Sequence, residues 1–282
     1  MKILVLGAKG MLGCDLHRHF EAVHEVTALD SSSCDITSPE ECRRVIRDLS
    51  PDVVVNAAAY TNVDGCETDR ERCFLVNAEG VKNIALACRG RGALIVHFST
   101  DYVFDGTGRT PYREDDATNP INAYGASKLQ GERFLAEYAD RWLLLRTSWL
   151  YGAHGKNFVA AILAKAATAD HLEVVSDQIG SPTFAGDLAW AAGVLIGKKK
   201  TGVYHLANDG RCSWHEFACK ILEFAGKSDI SVKPIHSEEL KRAAARPAWS
   251  VLSTDKFRRE TGREMRRWEA ALKDYLEIGV RV

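Results

Sequence analysis

Long apolar runs are missing from this sequence. No stretch approaches the roughly 20 apolar residues that a membrane-spanning helix needs. The opening run Ile3–Leu6 ends at Gly7, too soon for a secretion signal. A membrane protein and an exported one are both unexpected. Charge of one sign is missing too: 37 Lys and Arg against 38 Asp and Glu leave a formal net charge of −1. That balance removes any bulk attraction to nucleic acid or to an anionic membrane. The one locally basic stretch (Lys256, Arg258, Arg259, Arg263, Arg266, Arg267) is interspersed with acids and reads as a solvated amphipathic helix. The eight cysteines contain no CxxC pair and no zinc-type spacing. A chain of 282 residues can build its own core, so a disulfide framework is not expected, and reduced thiols in a cytoplasmic protein are. There is no internal repeat, no low-complexity tract and no Pro/Gly/Ser-rich linker to mark a domain boundary.

What is present is alternation. Short apolar runs at Ile3–Leu6, Val26–Leu29, Val53–Val55, Leu94–Phe98 and Leu143–Leu145 read as buried strands. Helical patterns near 11–20, 38–49, 72–90 and 124–139 separate or follow them. This rhythm predicts an α/β fold with a doubly wound parallel sheet of the Rossmann type, covered by helices on both faces. Ser38-Pro39-Glu40-Glu41 reads as a helix start, with serine as cap, proline at the first position and acids in the first turn. Beyond about residue 150 the rhythm loosens into helices near 156–168, 184–197, 213–225 and 265–277 with short strands at Leu172–Val175 and Val203–Leu206. The expected division is a dinucleotide-binding domain over 1–150 and a smaller substrate-binding lobe over 151–282, with some interleaving of the chain between them.

Gly7-Ala8-Lys9-Gly10-Met11-Leu12-Gly13 follows the first strand and opens a helix. Glycines at these places allow a tight turn and a close approach to a pyrophosphate, and the helix N-terminus offers free N–H donors to it. The spacing is GxxGxxG rather than GxGxxG. Asp30 ends the second strand about 20 residues further on, where an acid can bond the adenosine ribose hydroxyls. An acid there leans toward NADH, while Lys9 and the small run Ser31–Ser33 leave room for NADPH. Cys34, Asp35 and Ile36 are candidate contacts on the adenine side.

Tyr124 and Lys128 stand four residues apart at a helix start, which stacks them on one face. A free phenol has a pKa near 10, and a neighbouring ammonium favours the phenolate. The pair can therefore act as an acid/base, with the lysine also free to hold the nicotinamide ribose. Alone such a pair is common on exposed helices. Its context is a strand that ends in Phe98-Ser99-Thr100-Asp101-Tyr102, and strand C-termini in a parallel sheet meet the cofactor crevice. Thr100 could there hydrogen-bond a substrate carbonyl and steady a developing alkoxide.

With these residues in order, the sequence resembles the extended short-chain dehydrogenases that act on nucleotide sugars, and within them the dTDP-4-dehydrorhamnose reductase family. The resemblance rests on Asn56–Asp64 with Glu67, Ser99–Gly106, Tyr124–Lys128, Arg146–Gly152, Asp177–Thr183 and Arg246-Pro247, and it runs the full length. It implies reduction of a 4-keto sugar nucleotide with NADPH or NADH, and a triad of Thr100, Tyr124 and Lys128. It further implies a cofactor wall at Ala57, Ala58, Ala59 and Tyr60. Asp101, Tyr102, Phe104, Trp149, Asn157, Gln178 and Arg246 would face the sugar or its dTDP group. After Arg246-Pro247 the family commonly carries Asn-Ser and then Leu-Asp, whereas Trp249-Ser250-Val251-Leu252-Ser253 follows here. Some members hold Mg²⁺ between two protomers with glutamates. Asp15, Asp187 and, loosely, Glu277 stand at the matching positions, and acids shorter than glutamate shift the geometry Mg²⁺ demands, so the expectation is against a metal. A monomer or homodimer is expected.

Two rival readings remain at this stage. A dehydratase or epimerase on the same fold would need a carboxylate base beside the threonine, and Tyr102 follows Asp101 where related dehydratases carry a glutamate. A non-catalytic NADP-binding protein, like the regulatory subunit of methionine adenosyltransferase, would keep the loop and the Tyr–Lys pair. It would lack counterparts of Ala59–Asp64 and Asp177–Thr183.

Overall fold

The computed structural model describes residues 1–279; the last three residues of the expected second lobe lie outside the described residues. Six parallel strands form the central sheet: β1 (Lys2–Leu6), β2 (Glu25–Leu29), β3 (Val53–Asn56), β4 (Leu94–Thr100), β5 (Trp142–Thr147) and β6 (Gly202–His205). Their spatial order is β2-β1-β3-β4-β5-β6. The chain leaves β1 toward one edge and returns on its other side as β3, so the strand order reverses beside β1. A crevice opens there at the strand C-termini, where ligands of open α/β sheets bind.

The near-continuous apolar strands follow from burial on both faces. Ile3, Val5, Val53, Val55, Val96 and Leu145 pack on one side with the helices Met11–Glu21 and Ala185–Gly197. Leu4, Leu6, Val54, Ile95 and Leu144 pack on the other with Pro39–Leu49, Gly80–Cys88 and Leu135 of Ala123–Tyr138. The Ser38 hydroxyl accepts from the Glu41 amide at 3.3 Å, and Pro39 opens the helix behind it.

Three features differ from the sequence expectation. The strand near 203–206 is not part of the smaller lobe: as β6 it pairs with β5 in the large sheet, and the helix Ala185–Gly197 covers that sheet. The chain thus returns to the first layer after residue 150. The basic run near the C-terminus is not one helix either. Asp255–Thr261 ends at Gly262, whose φ of +68° is left-handed, and a new helix begins at Trp268. Arg266, between them, is held by Asp187 and Asp274.

The smaller lobe has its own core of Tyr151, Val159, Ile162, Phe217, Ile221 and Leu272, with three short two-stranded pairings. Full burial of aromatic and aliphatic side chains of this kind stabilises by about 1.5–3 kcal/mol each.

The helix expected near 72–90 is interrupted. Arg70–Phe74 runs into a π-turn at Leu75–Glu79 before Gly80–Cys88 resumes. The wide turn presents Asn77, whose amide bonds both ways to the Tyr60 backbone: Oδ1 accepts from its N–H at 2.8 Å and Nδ2 donates to its carbonyl at 3.0 Å. Gly131 of the next helix lies so close that a Cβ would sit 2.2 Å from the Asn77 carbonyl oxygen. Gly131→Ala is therefore expected to cost about 1–3 kcal/mol by overpacking, read as a lower urea midpoint. A change within about 0.5 kcal/mol would show that the helix is not seated on this turn.

Candidate active site

The crevice begins at the glycine loop. Gly7 has φ +77°, and a Cβ on it would lie 2.6 Å from the Ala58 nitrogen. A Cβ on Gly13 would lie 2.2 Å from the Gly7 carbonyl oxygen. Only glycine lets the loop, the Met11–Glu21 helix and the Ala57–Ala59 segment meet this closely. The helix carries no side-chain cap at Gly10 and no acid in its first turn, so its amides are free to take an anion. The cradle fits a dinucleotide diphosphate, with Lys9, Gly10, Met11 and Leu12 around it.

Beyond the loop lies a cavity of about 560 Å³, lined by Gly7, Lys9, Asp30, Asp35 and Ile36 among others. Asp30 forms an ion pair with Lys9 and accepts from the Ser32 hydroxyl at 2.7 Å. The hydrogen bond from Lys9, then that from Ser32, holds its carboxyl far below the usual range. The Asp35 carboxylate is occupied by its own turn, accepting from the Thr37 amide and hydroxyl at 2.9 and 2.8 Å. Arg72, Leu75 and Val76 also line this cavity, and the sequence reading missed all three. They arrive from the π-turn region, whose irregularity has no signal in the apolar pattern.

A second cavity of about 520 Å³ shares Gly10 and Ala57–Ala59 with the first and runs to Thr100, Asp101, Tyr124, Lys128 and Trp149. The two form one cleft. Another hollow of about 630 Å³, beside Met1 and Pro51, sits at the strand N-termini, away from the crevice.

Asn122 caps the helix Ala123–Tyr138 by accepting from the Gly125 amide at 2.8 Å, which sets Tyr124 and Lys128 on its first two turns. Lys128 is 2% exposed. Its Nζ donates to the Phe98 carbonyl at 2.6 Å and lies 3.3 Å from His97 Nε2. Burial lowers this ammonium to about 8. Burial, then the Lys128 charge, holds His97 well below its usual value, so the ring is neutral. Tyr124 departs from expectation: burial, followed by the charge of Asp101, raises the phenol, and this outweighs the downward pull that the Tyr–Lys spacing suggested. The neighbouring Thr100 hydroxyl acts in the lowering direction. Tyr102 meets Tyr124 edge-on with ring centroids 5.9 Å apart. Burial pushes the Asp101 carboxyl up to about 7. The buried hydroxyls of Ser99 and Thr147, which also line the cavity, have no protein partner.

The remaining candidates divide. Trp149 lines the cavity with φ +46°, rare for so bulky a residue, and stacks on Trp214 at 3.6 Å. Lys156, not singled out from the sequence, lines the same space. Phe104 corrects its expectation: it is fully buried, stacked on Tyr112 at 4.2 Å, and belongs to a separate core cluster. Arg246 does not reach the cavity because Asp64 takes its guanidinium in two bonds of 2.7 Å, tying residues 244–246 to the helix Val63–Thr68. Asn157 caps the helix Phe158–Lys165, accepting from the Ala160 amide at 3.0 Å. Gln178 is buried outside the residues that line the cavity, and Tyr60 contributes its backbone to Asn77 rather than its ring to the cleft.

Among the described residues no three His, Cys, Asp or Glu side chains come together to hold a metal. Asp187 is taken up by Asn208 and Arg266, and buried Asp15 keeps one oxygen unpartnered.

A glycine-loop crevice that continues into a buried Thr–Tyr–Lys cluster at the end of the fourth strand makes this an oxidoreductase of the short-chain dehydrogenase/reductase class. The family model described as the RmlD substrate binding domain matches residues 1–280. The chain belongs to that family, the dTDP-4-dehydrorhamnose reductases. It is 43% identical over 277 residues to the spore coat polysaccharide biosynthesis protein SpsK of Bacillus subtilis, covering 98% of this chain and 97% of that one. It is 41% identical over 288 residues to dTDP-4-dehydrorhamnose reductase of Burkholderia thailandensis, covering 96% and 97%. The crystal structure of dTDP-4-dehydrorhamnose reductase from Bacillus anthracis in complex with NADP superposes with a TM-score of 0.96 at 37% identity, over 98% of this chain and 99% of that one.

The cations at the Asp30 end generate a prediction. With Lys9 removed, Asp30 faces a 2′-phosphate unshielded. Lys9→Ala should weaken NADPH binding relative to NADH by about tenfold, ~1.4 kcal/mol. Equal loss for both dinucleotides in a fluorescence titration would place Lys9 outside the 2′ site.

Proposed function

We propose that this chain reduces the 4-keto group of dTDP-4-dehydro-L-rhamnose to give dTDP-L-rhamnose, using NADPH or NADH. The observation that carries the reading is the single cleft in which Thr100, Tyr124 and Lys128 converge at the end of a phosphate-binding loop. A bound reduced nicotinamide supplies the hydride that reaches the sugar C4. The protein supplies the rest. Tyr124 gives its phenolic proton to the emerging alkoxide, and a phenol kept neutral by burial holds that proton until the oxygen turns basic. Thr100 donates to the same oxygen. Lys128, anchored on the Phe98 carbonyl, offers its remaining donors to the nicotinamide ribose and offsets negative charge on Tyr124. Asp101 and Trp149 form the sugar side, with Lys156 toward the diphosphate; Tyr102, expected there too, packs edge-on against Tyr124 outside the lining. The second half of the chain adds Gly155 and Lys156 to this wall and also completes the large sheet through β6. A cytoplasmic setting is supported by eight cysteines that are all free thiols. Among the described residues no helix is long and apolar enough to cross a membrane.

Reduction is favoured over dehydration because Asp101 is the one carboxyl among the described residues lining the reacting end of the cleft, and no second acid stands beside it as a carbon base. The reading is tested with purified protein, dTDP-4-dehydro-L-rhamnose and NADPH or NADH, following absorbance of the reduced nicotinamide. Tyr124→Phe should cut turnover by about 10²–10⁴-fold and leave cofactor affinity nearly intact. Lys128→Met should impair both. Full activity in Tyr124→Phe would overturn the assignment.

A further inference from the structure

Thr100 has one hydroxyl hydrogen and two acceptor positions. Three groups compete for them within the protein. The Tyr102 amide donates to Oγ1 at 3.2 Å, Asp101 Oδ1 lies 2.9 Å away, and the Tyr124 phenol shares the cavity wall with the hydroxyl. How the single hydrogen is directed depends on the charge of Asp101. An ionised carboxylate can only accept, so it captures the Thr100 hydrogen. Thr100 could then only accept from Tyr124, and the phenolic proton would point at the threonine instead of at a substrate. A neutral Asp101 reverses the chain. Its own O–H donates to Thr100, whose acceptor positions are then filled by Asp101 and the Tyr102 amide. The Thr100 hydrogen and the Tyr124 hydrogen are both released toward a carbonyl oxygen in the cleft.

The surroundings of Asp101 favour the neutral form. The residue is 2% exposed, and its Oδ2 has no hydrogen-bond partner although the Ser250 hydroxyl faces the carboxyl. The titratable groups that face it are Tyr102 on its own turn and Tyr124 on the Ala123–Tyr138 helix. Neither nearby cation bonds the carboxyl: the Lys128 ammonium donates to the Phe98 carbonyl and the Arg246 guanidinium to Asp64. A buried carboxylate with neither a cation nor a full set of donors is costly, and the proton stays on.

We propose that Asp101 works as a neutral carboxylic acid, a positioning residue that turns the Thr100 hydroxyl into a donor for the substrate oxygen. Its effect on catalysis rests on the reductase reading above. Ionisation removes that donor and adds a negative charge beside the developing alkoxide, so activity is present at low pH and is lost as pH rises through the carboxyl's raised value.

Two measurements test this. Infrared titration of the substrate-free protein should show a protonated-acid carbonyl band at pH 6 that fades through about pH 7 and is absent in Asp101→Asn. In the keto-reduction assay, wild-type kcat/KM should fall by about tenfold per pH unit above the same point. Asp101→Asn keeps an N–H donor for Thr100 at every pH, so between pH 7 and 8, before Lys128 loses its charge, its profile should lack this fall even if it is slower throughout. Asp101→Leu, with no donor, should lose about 10²-fold at every pH. Parallel falls in wild type and Asp101→Asn between pH 7 and 8, or an ionised carboxylate already at pH 6, would overturn the proposal. Because the infrared band is read without turnover, a protein that reduced no nucleotide sugar would fail the reductase reading and leave the state of Asp101 measured.

Discussion

The bond from the Lys128 ammonium to the Phe98 carbonyl, 2.6 Å long and buried, fixes the helix that carries Tyr124 against the strand that carries Thr100. An ammonium withdrawn from water is expensive unless its donors are met, so the helix can sit at only one depth. Two glycines permit that depth. A Cβ on Gly125 would lie 2.1 Å from the Tyr102 carbonyl oxygen, and one on Gly131 2.2 Å from that of Asn77. Strand, helix and π-turn are thereby locked together, and through Asn77 the lock extends to the segment that forms the cofactor wall. Proton chemistry and cofactor binding share one scaffold.

The reversal of strand order beside β1 places the phosphate loop and the Ala57–Ala59 turn on either side of one crevice. Trp149 lies two residues beyond the end of β5, in a left-handed conformation that carries the chain toward the smaller lobe. The chain then comes back through Ala185–Gly197 and β6, so the lobe is clamped at both ends to the sheet that holds the reacting groups. A site assembled across two layers in this way takes its dimensions from both.

Much of this was legible in the residues. Apolar runs bounded by polar turns located the strands because each is buried on both faces, and the glycine spacing located the phosphate loop because steric room is a local property. The Tyr–Lys pair and Thr100 were legible for the same reason: spacing on one helix and position at a strand end are both local. What escaped depends on distant partners. β6 looked like part of the second lobe because its neighbour β5 lies far back in the chain. Arg246 looked free because Asp64, 182 residues away, is what neutralises it. Phe104, inside a motif rich in site residues, turned inward to stack on Tyr112. The elevated phenol of Tyr124 likewise reflects burial, which no spacing rule contains.

The central claim is that these residues direct a hydride to the keto carbon of a sugar nucleotide and a proton to its oxygen. The most direct measurement is the fate of deuterium. Incubating the enzyme with dTDP-4-dehydro-L-rhamnose and NADPH deuterated at the transferring position of C4, then examining the sugar by NMR, locates the label. Deuterium is expected at sugar C4 and nowhere else. Label absent from the sugar, or solvent protons exchanged at its neighbouring carbons, would contradict it.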